Sequence, residues 1–232
     1  MAPDSQPDQQ TDRAHDLAHI DTWIFDLDNT LYPPECDLFA LIDDRMQAFV
    51  QRSIGLGPVE ARALQKRYYH EHGTTLAGLM ANHGVDPREF LDEVHEISLD
   101  RLERDEALAH ALERLPGRRL VFTNGSERHA RRVLDALGIE ALFDEVFDIE
   151  ACDLIPKPQP DAFARLIRRH AVTPPTAAFF EDLERNLEPA AELGMTTVLV
   201  GPHAAECGAD FVHHRTERLA DFLVSARLKE AA

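Results

Sequence analysis

The segment Trp23-Ile24-Phe25-Asp26-Leu27-Asp28-Asn29-Thr30-Leu31-Tyr32-Pro33 constrains the fold more than any other stretch of the chain. Its apolar run, Trp23 to Phe25, reads as a buried strand. Just past the run stand two carboxylates, Asp26 and Asp28. Open α/β sheets bind their ligands beyond the carboxyl ends of the strands, which is where this pair falls. Burying two like charges so close together is costly unless a cation lies between them. A hard divalent ion such as Mg²⁺, which takes oxygen ligands, removes that cost. The segment therefore points to a metal site rather than to packing.

Composition narrows the partners. A net charge of −18 over 232 residues argues against binding a nucleic acid polymer or an acidic membrane by bulk electrostatics. A small anionic substrate then needs local positive charge, from a metal or a particular basic residue. Cys36, Cys152 and Cys207 are scattered and form no zinc pattern, so a reduced, cytoplasmic setting is expected. Residues 1–18 are polar, lack the apolar stretch of a signal peptide and read as a disordered tail. No run is long enough to span a membrane.

After Pro33-Pro34 the hydrophobic period becomes helical. Leu38, Ile42, Met46 and Phe49 define one helix, closed by Gly55 and Gly57. Val59–His72 and Thr75–Asn82 give two more. Asp86-Pro87-Arg88-Glu89 supplies a cap, a first-turn proline and an acid for a fourth, whose apolar face is expected to run through Phe90, Leu91, Val94, Ile97 and Leu102. From about Glu106 a helix leads to Pro116-Gly117, and strands then alternate with helices: Leu120–Phe122, Val146–Ile149, Ala177–Phe180 and Thr196–Val200. With Trp23–Leu27 these make five strands of a doubly wound, Rossmann-like parallel sheet. An edge strand and a last helix are expected after Asp210. The predicted organisation is a catalytic α/β core over 19–33 and 105–232, interrupted by an all-helical cap over 34–104.

Three other strand ends carry matching polar groups. Thr123, Asn124, Gly125 and Ser126 lie between a strand and a helix, where backbone N–H groups and the Thr123 hydroxyl suit a phosphate and Ser126 suits the helix cap. Lys157, one of only three lysines against twenty-one arginines, sits between Pro156 and Pro158. Its compact charge suits a phosphoryl oxygen beside a carboxylate, although most loop lysines are merely solvated. Glu181 and Asp182 end a third strand, and Asp182 is placed to complete a metal site with Asp26 and Asp28. The alternative is that these acids only favour the next helix start, with Asn186 as its cap.

Taken in order and spacing, these motifs resemble the phosphatases of the haloacid-dehalogenase superfamily over about residues 21–201. The resemblance implies a nucleophilic Asp26, a general acid/base Asp28, phosphate binding by Thr123 and Asn124, and charge neutralisation by Lys157. It also implies Mg²⁺ held by Asp26, Asp28 and Asp182, with Glu181 supporting it from behind. The helical insert and the Asn29–Pro33 and Phe180–Leu183 stretches are similar to the pyrimidine 5′-nucleotidase branch. That implies a monomer or homodimer hydrolysing small phosphate monoesters, with pyrimidine nucleoside 5′-monophosphates as substrates. Tyr69 and Thr74, in the cap, are candidates to touch the base. A sugar phosphomutase, or a phosphatase of phosphoglycolate or sugar phosphates, is the alternative on the same core.

Overall fold

The computed structural model describes residues 15–229, so most of the expected tail, residues 1–14, lies outside the described residues. The chain opens with β1 (Thr22–Phe25) and then runs through four helices, α1 (Leu38–Ile54), α2 (Pro58–His72), α3 (Thr75–His83) and α4 (Pro87–Val94). From α5 (Glu106–Glu113) it returns to the sheet with β2 (Arg118–Phe122), α6 (Glu127–Leu137) and β3 (Glu145–Phe147). There follow α7 (Pro160–His170), β4 (Ala177–Glu181), α8 (Glu184–Glu192), β5 (Thr196–Val200), β6 (His214–Thr216) and α9 (Leu219–Ser225).

All six strands are parallel, in the order β3-β2-β1-β4-β5-β6. Sequence order reverses at β1 and β4, the crevice where such sheets hold ligands. Alternation along the strands divides the core in two. Trp23, Phe25, Val121 and Phe180 face one layer, while Ile24, Leu120, Phe122 and Phe179 face the other. The turn into β2 uses Gly117 at φ +84°, where a Cβ would stand 2.0 Å from the Asp21 carbonyl oxygen.

The four helices between β1 and α5 start and stop where their local chemistry requires. Thr74 caps α3 by accepting from Ala77 N–H (3.1 Å), Asp86 caps α4, and Gly55 closes α1 in the left-handed conformation. Phe49 of α1 meets Phe90 of α4 edge to face at 5.1 Å, tying the helices together.

Three expectations need correction. The fourth helix ends at Val94, because His95 leaves helical geometry; Ile97 and Leu102 are buried from a loop instead. The polar start of the chain is not loose up to residue 18: Leu17 is buried, Asp16 pairs with Arg227, and His15 stacks on Phe222 at 4.3 Å. Isolated contacts of this kind within a polar stretch gave no periodic signal. Asn186 does not cap α8; it lies inside the first turn, buried, after Leu183 at the cap position. Among the described residues, no helix is long and apolar enough to cross a membrane.

Candidate active site

The site is built where β1 and β4 end side by side. Phe25 pairs with Phe180, and Asp26 N–H donates to the Phe180 carbonyl at 2.9 Å. Period-two alternation then places Asp26 and Glu181 on the same face, following Ile24 and Phe179. Asn29 takes a left-handed φ of +62°, which asparagine tolerates, and the chain turns back on itself. The turn brings Thr30 Oγ1 to Asp26 Oδ2 at 3.2 Å.

Lys157 reaches this point from the loop before α7 and is 1% exposed. All three of its ammonium donors are engaged: Asp26 Oδ1 at 2.6 Å, Glu181 Oε2 at 2.7 Å and the Phe122 carbonyl at 2.8 Å. Burial alone would lower its pKa, but the Asp26 and Glu181 carboxylates outweigh that and hold it well above the usual lysine value. Lys157 is therefore a buried charge beside Asp26 and not a solvated loop lysine.

The Asn124 side chain fixes the lysine loop: its Nδ2 donates to the Lys157 carbonyl (3.1 Å), and its Oδ1 accepts from the Lys157 N–H (2.8 Å). Its second N–H is not used in these bonds, and Asn124 also lines the cavity. Thr123 is buried, and its Oγ1 accepts from Gly125 N–H at 2.9 Å, which leaves its own proton to donate. Ser126 caps α6, as its place before the helix suggested.

Asp26, Glu181 and Asp182 bring ligand oxygens within 4.8 Å of one another. Burial, then the Glu181 charge, push Asp26 up to about 7, against the pull of Lys157. Burial, then Glu181 and Asp26, push Asp182 up to about 10. Three crowded carboxylates with one lysine are under-compensated, and an all-oxygen donor set of this kind suits a hard divalent cation such as Mg²⁺.

Of the expected ligand set, Asp26 and Asp182 stand in this cluster. The Asp28 carboxylate is not part of this group; its Oδ1 accepts from the Tyr32 hydroxyl (2.7 Å) and from His129 Nε2 (3.0 Å). Glu181, expected behind the metal, stands in the cluster instead. Burial pushes the Asp28 carboxyl up, but the charge and hydrogen bond of His129, with the Tyr32 bond, outweigh it and hold the group below the usual range.

His129 was not anticipated. It is fully buried on α6 and stacks on His95 at 4.4 Å, with planes 10° apart. The signal lay in the helix period: His129 shares the inward face of Ala130 and Val133, and a polar residue on such a face calls for a partner.

These groups open into a cavity of about 300 Å³ roofed by the inserted helices. Phe39, Ile42 and Met46 of α1 face it, as does Tyr69 of α2. One face of the Tyr69 ring is covered by the Arg185 guanidinium at 4.2 Å. Thr74 lines the cavity as well, although its hydroxyl oxygen caps α3.

A parallel sheet with acids at the β1 and β4 ends, a buried lysine between them and a helical roof suits hydrolytic chemistry that begins on a carboxylate. The model of the haloacid dehalogenase-like hydrolase family matches residues 20–194, and the chain belongs to that family. It is 30% identical over 195 residues to Phosphate metabolism protein 8 of Saccharomyces cerevisiae, a match covering 76% of this chain and 60% of the yeast protein. The chain thus spans about 60% of that relative's length. Among solved structures it resembles a phosphatase from Thermococcus onnurineus (TM-score 0.59, 19% identity, 90% of this chain and 100% of that one). It also resembles a 2-haloacid dehalogenase from Pseudomonas syringae (TM-score 0.57, 21% identity, 89% and 97%). Both reactions occur on this fold, so the fold alone does not choose between them.

Proposed function

We propose that the protein is a phosphomonoester hydrolase working through an aspartyl-phosphate on Asp26, with pyrimidine nucleoside 5′-monophosphates as preferred substrates. One observation carries the reading. Asp26 Oδ1 is held by Lys157 and Oδ2 by Thr30 at the mouth of the cavity, while a second carboxylate, Asp28, is held apart by Tyr32 and His129. Two carboxylates in such different environments suit two roles.

Asp26 is the nucleophile: a carboxylate oxygen attacks phosphorus in line and the ester oxygen leaves. Asp28, held as a carboxylate by Tyr32 and His129, relays a proton from those donors to the leaving oxygen and takes one back from the water that cleaves the acyl phosphate. Lys157 neutralises the negative charge gathered at Asp26, the Thr123 hydroxyl donates to a phosphoryl oxygen, and Asn124 keeps Lys157 in place. Asp26, Glu181 and Asp182 would hold Mg²⁺, which supplies charge neutralisation for the phosphoryl group when bound. The inserted helices exclude water and contact the leaving group. A dehalogenase, which attacks carbon, has no leaving alkoxide to protonate and no use for Asp28 in this role.

Phosphate release from UMP, CMP, sugar phosphates and phosphoglycolate tests the reading. A pyrimidine nucleotide is expected to rank first by kcat/KM, chelator to silence turnover and Mg²⁺ to restore it. Interconversion of a sugar phosphate without free phosphate would identify a mutase instead. Full turnover in EDTA would exclude the metal.

The raised carboxyls also give a pH signature. Asp26 and Asp182 bind protons more tightly folded than unfolded, so the unfolded chain holds fewer protons above its ordinary carboxylate value. The contribution of these two carboxyls to stability without metal is therefore fully present only below pH ~4. It should decline as pH rises through about 7 for Asp26 and toward about 10 for Asp182. Mg²⁺ should raise the melting temperature more at pH 8 than at pH 5. Equal shifts at both would remove these carboxyls as the ligands.

A further inference from the structure

Three permanent cations line the cavity: Lys66, Lys157 and Arg185. Lys157 is committed to Asp26 and Glu181, and Lys66 pairs with Asp43 at 3.0 Å. Arg185, in the first turn of α8, makes no ion pair among the described residues. Its guanidinium rests over Tyr69, and its buried Nε meets no acceptor. Leaving such a donor unmet is costly, and more so for a charged group.

A second unmet atom faces the same cavity. Gln65, buried on α2, donates its amide N–H to Asp43 Oδ1 (2.6 Å), while its Oε1 has no partner. Gln65 and Tyr69 are four residues apart and so lie on one face of α2. The strip Gln65–Tyr69–Arg185 therefore offers an unsatisfied acceptor, an aromatic ring and an unsatisfied planar donor. None of the three belongs to the group that holds the phosphoryl oxygens.

We propose that Arg185 and Gln65 select the leaving group, Arg185 donating to a carbonyl oxygen and Gln65 Oε1 accepting an N–H. Acceptor and donor side by side on a flat group are the edge of a heterocyclic amide, as in uracil. A carboxylate leaving group such as glycolate satisfies Arg185 but sets oxygen against oxygen at Gln65. A phenol satisfies neither. The inference rests on the phosphatase reading and names the recognition that would give that site its substrate class.

The test compares Arg185→Met, Arg185→Lys and Gln65→Leu with the parent on UMP, phosphoglycolate and phenyl phosphate, with uridine as competitive inhibitor. Arg185→Met is expected to lower the UMP to phenyl phosphate ratio of kcat/KM by at least about tenfold, through KM, and to weaken uridine inhibition in parallel. Gln65→Leu should lower that ratio by about threefold or more, and Arg185→Lys should recover part of it. Melting curves establish that each variant is folded. An unchanged ratio, or equal loss on every ester, overturns the proposal. If the parent ignores UMP, the nucleotide reading fails by itself. Arg185 is then judged on the parent's preferred ester against phenyl phosphate: a shifted ratio keeps it as selector, and an unshifted one removes it.

Discussion

Asp26→Asn is expected to lower turnover on the order of 10⁴-fold or more while the protein stays folded. The amide cannot form a stable acyl phosphate, so the covalent route is closed. The fold should survive because an Asn oxygen can still accept from Lys157 and because the substitution removes a carboxylate whose burial already pushes its pKa up to about 7. Phosphate release and a melting curve on the same preparation check both halves. Residual activity within tenfold of the parent would remove Asp26 as nucleophile.

Lys157→Met should cost both stability and activity. The ammonium neutralises Asp26 and Glu181 from within the core, and removing one partner of a buried ionic group typically destabilises by ~3–5 kcal/mol. The penalty should shrink toward low pH, because protonated carboxyls no longer repel. Turnover should fall by ~10²–10³-fold, the usual loss when one group that stabilises transition-state charge is removed. Urea melts at pH 7.5 and pH 5 decide the stability part. A variant as stable as the parent at pH 7.5 would mean that the two acids are neutralised by something else.

Much of this could be read from the chain, and what could not has physical reasons. Helix and strand positions follow from apolar period and from caps such as Asp86 and Gly55, which act locally. Asp26 and Lys157 were legible because charged residues so close to apolar strands or stiff prolines need a purpose. The bonds from Asn124 to the Lys157 backbone were not legible, because an amide beside a turn has many possible partners and only the tertiary fold selects one. Nor were the Tyr32 and His129 bonds to Asp28, since His129 is about a hundred residues away. Arg185 carried no signal at all, since a helix-start arginine is ordinarily solvated.

The pairing of Phe25 with Phe180 fixes Asp26 and Glu181 as the next residues on adjoining strands. Main-chain hydrogen bonds set that interval, about 4.8 Å between neighbouring strands, and slipping the register by one residue would turn one acid to the opposite face. The sheet thus works as a ruler for the chemistry. Replacing side chains in the helical roof can retune which ester enters without moving the graduations by which the carboxylates are spaced.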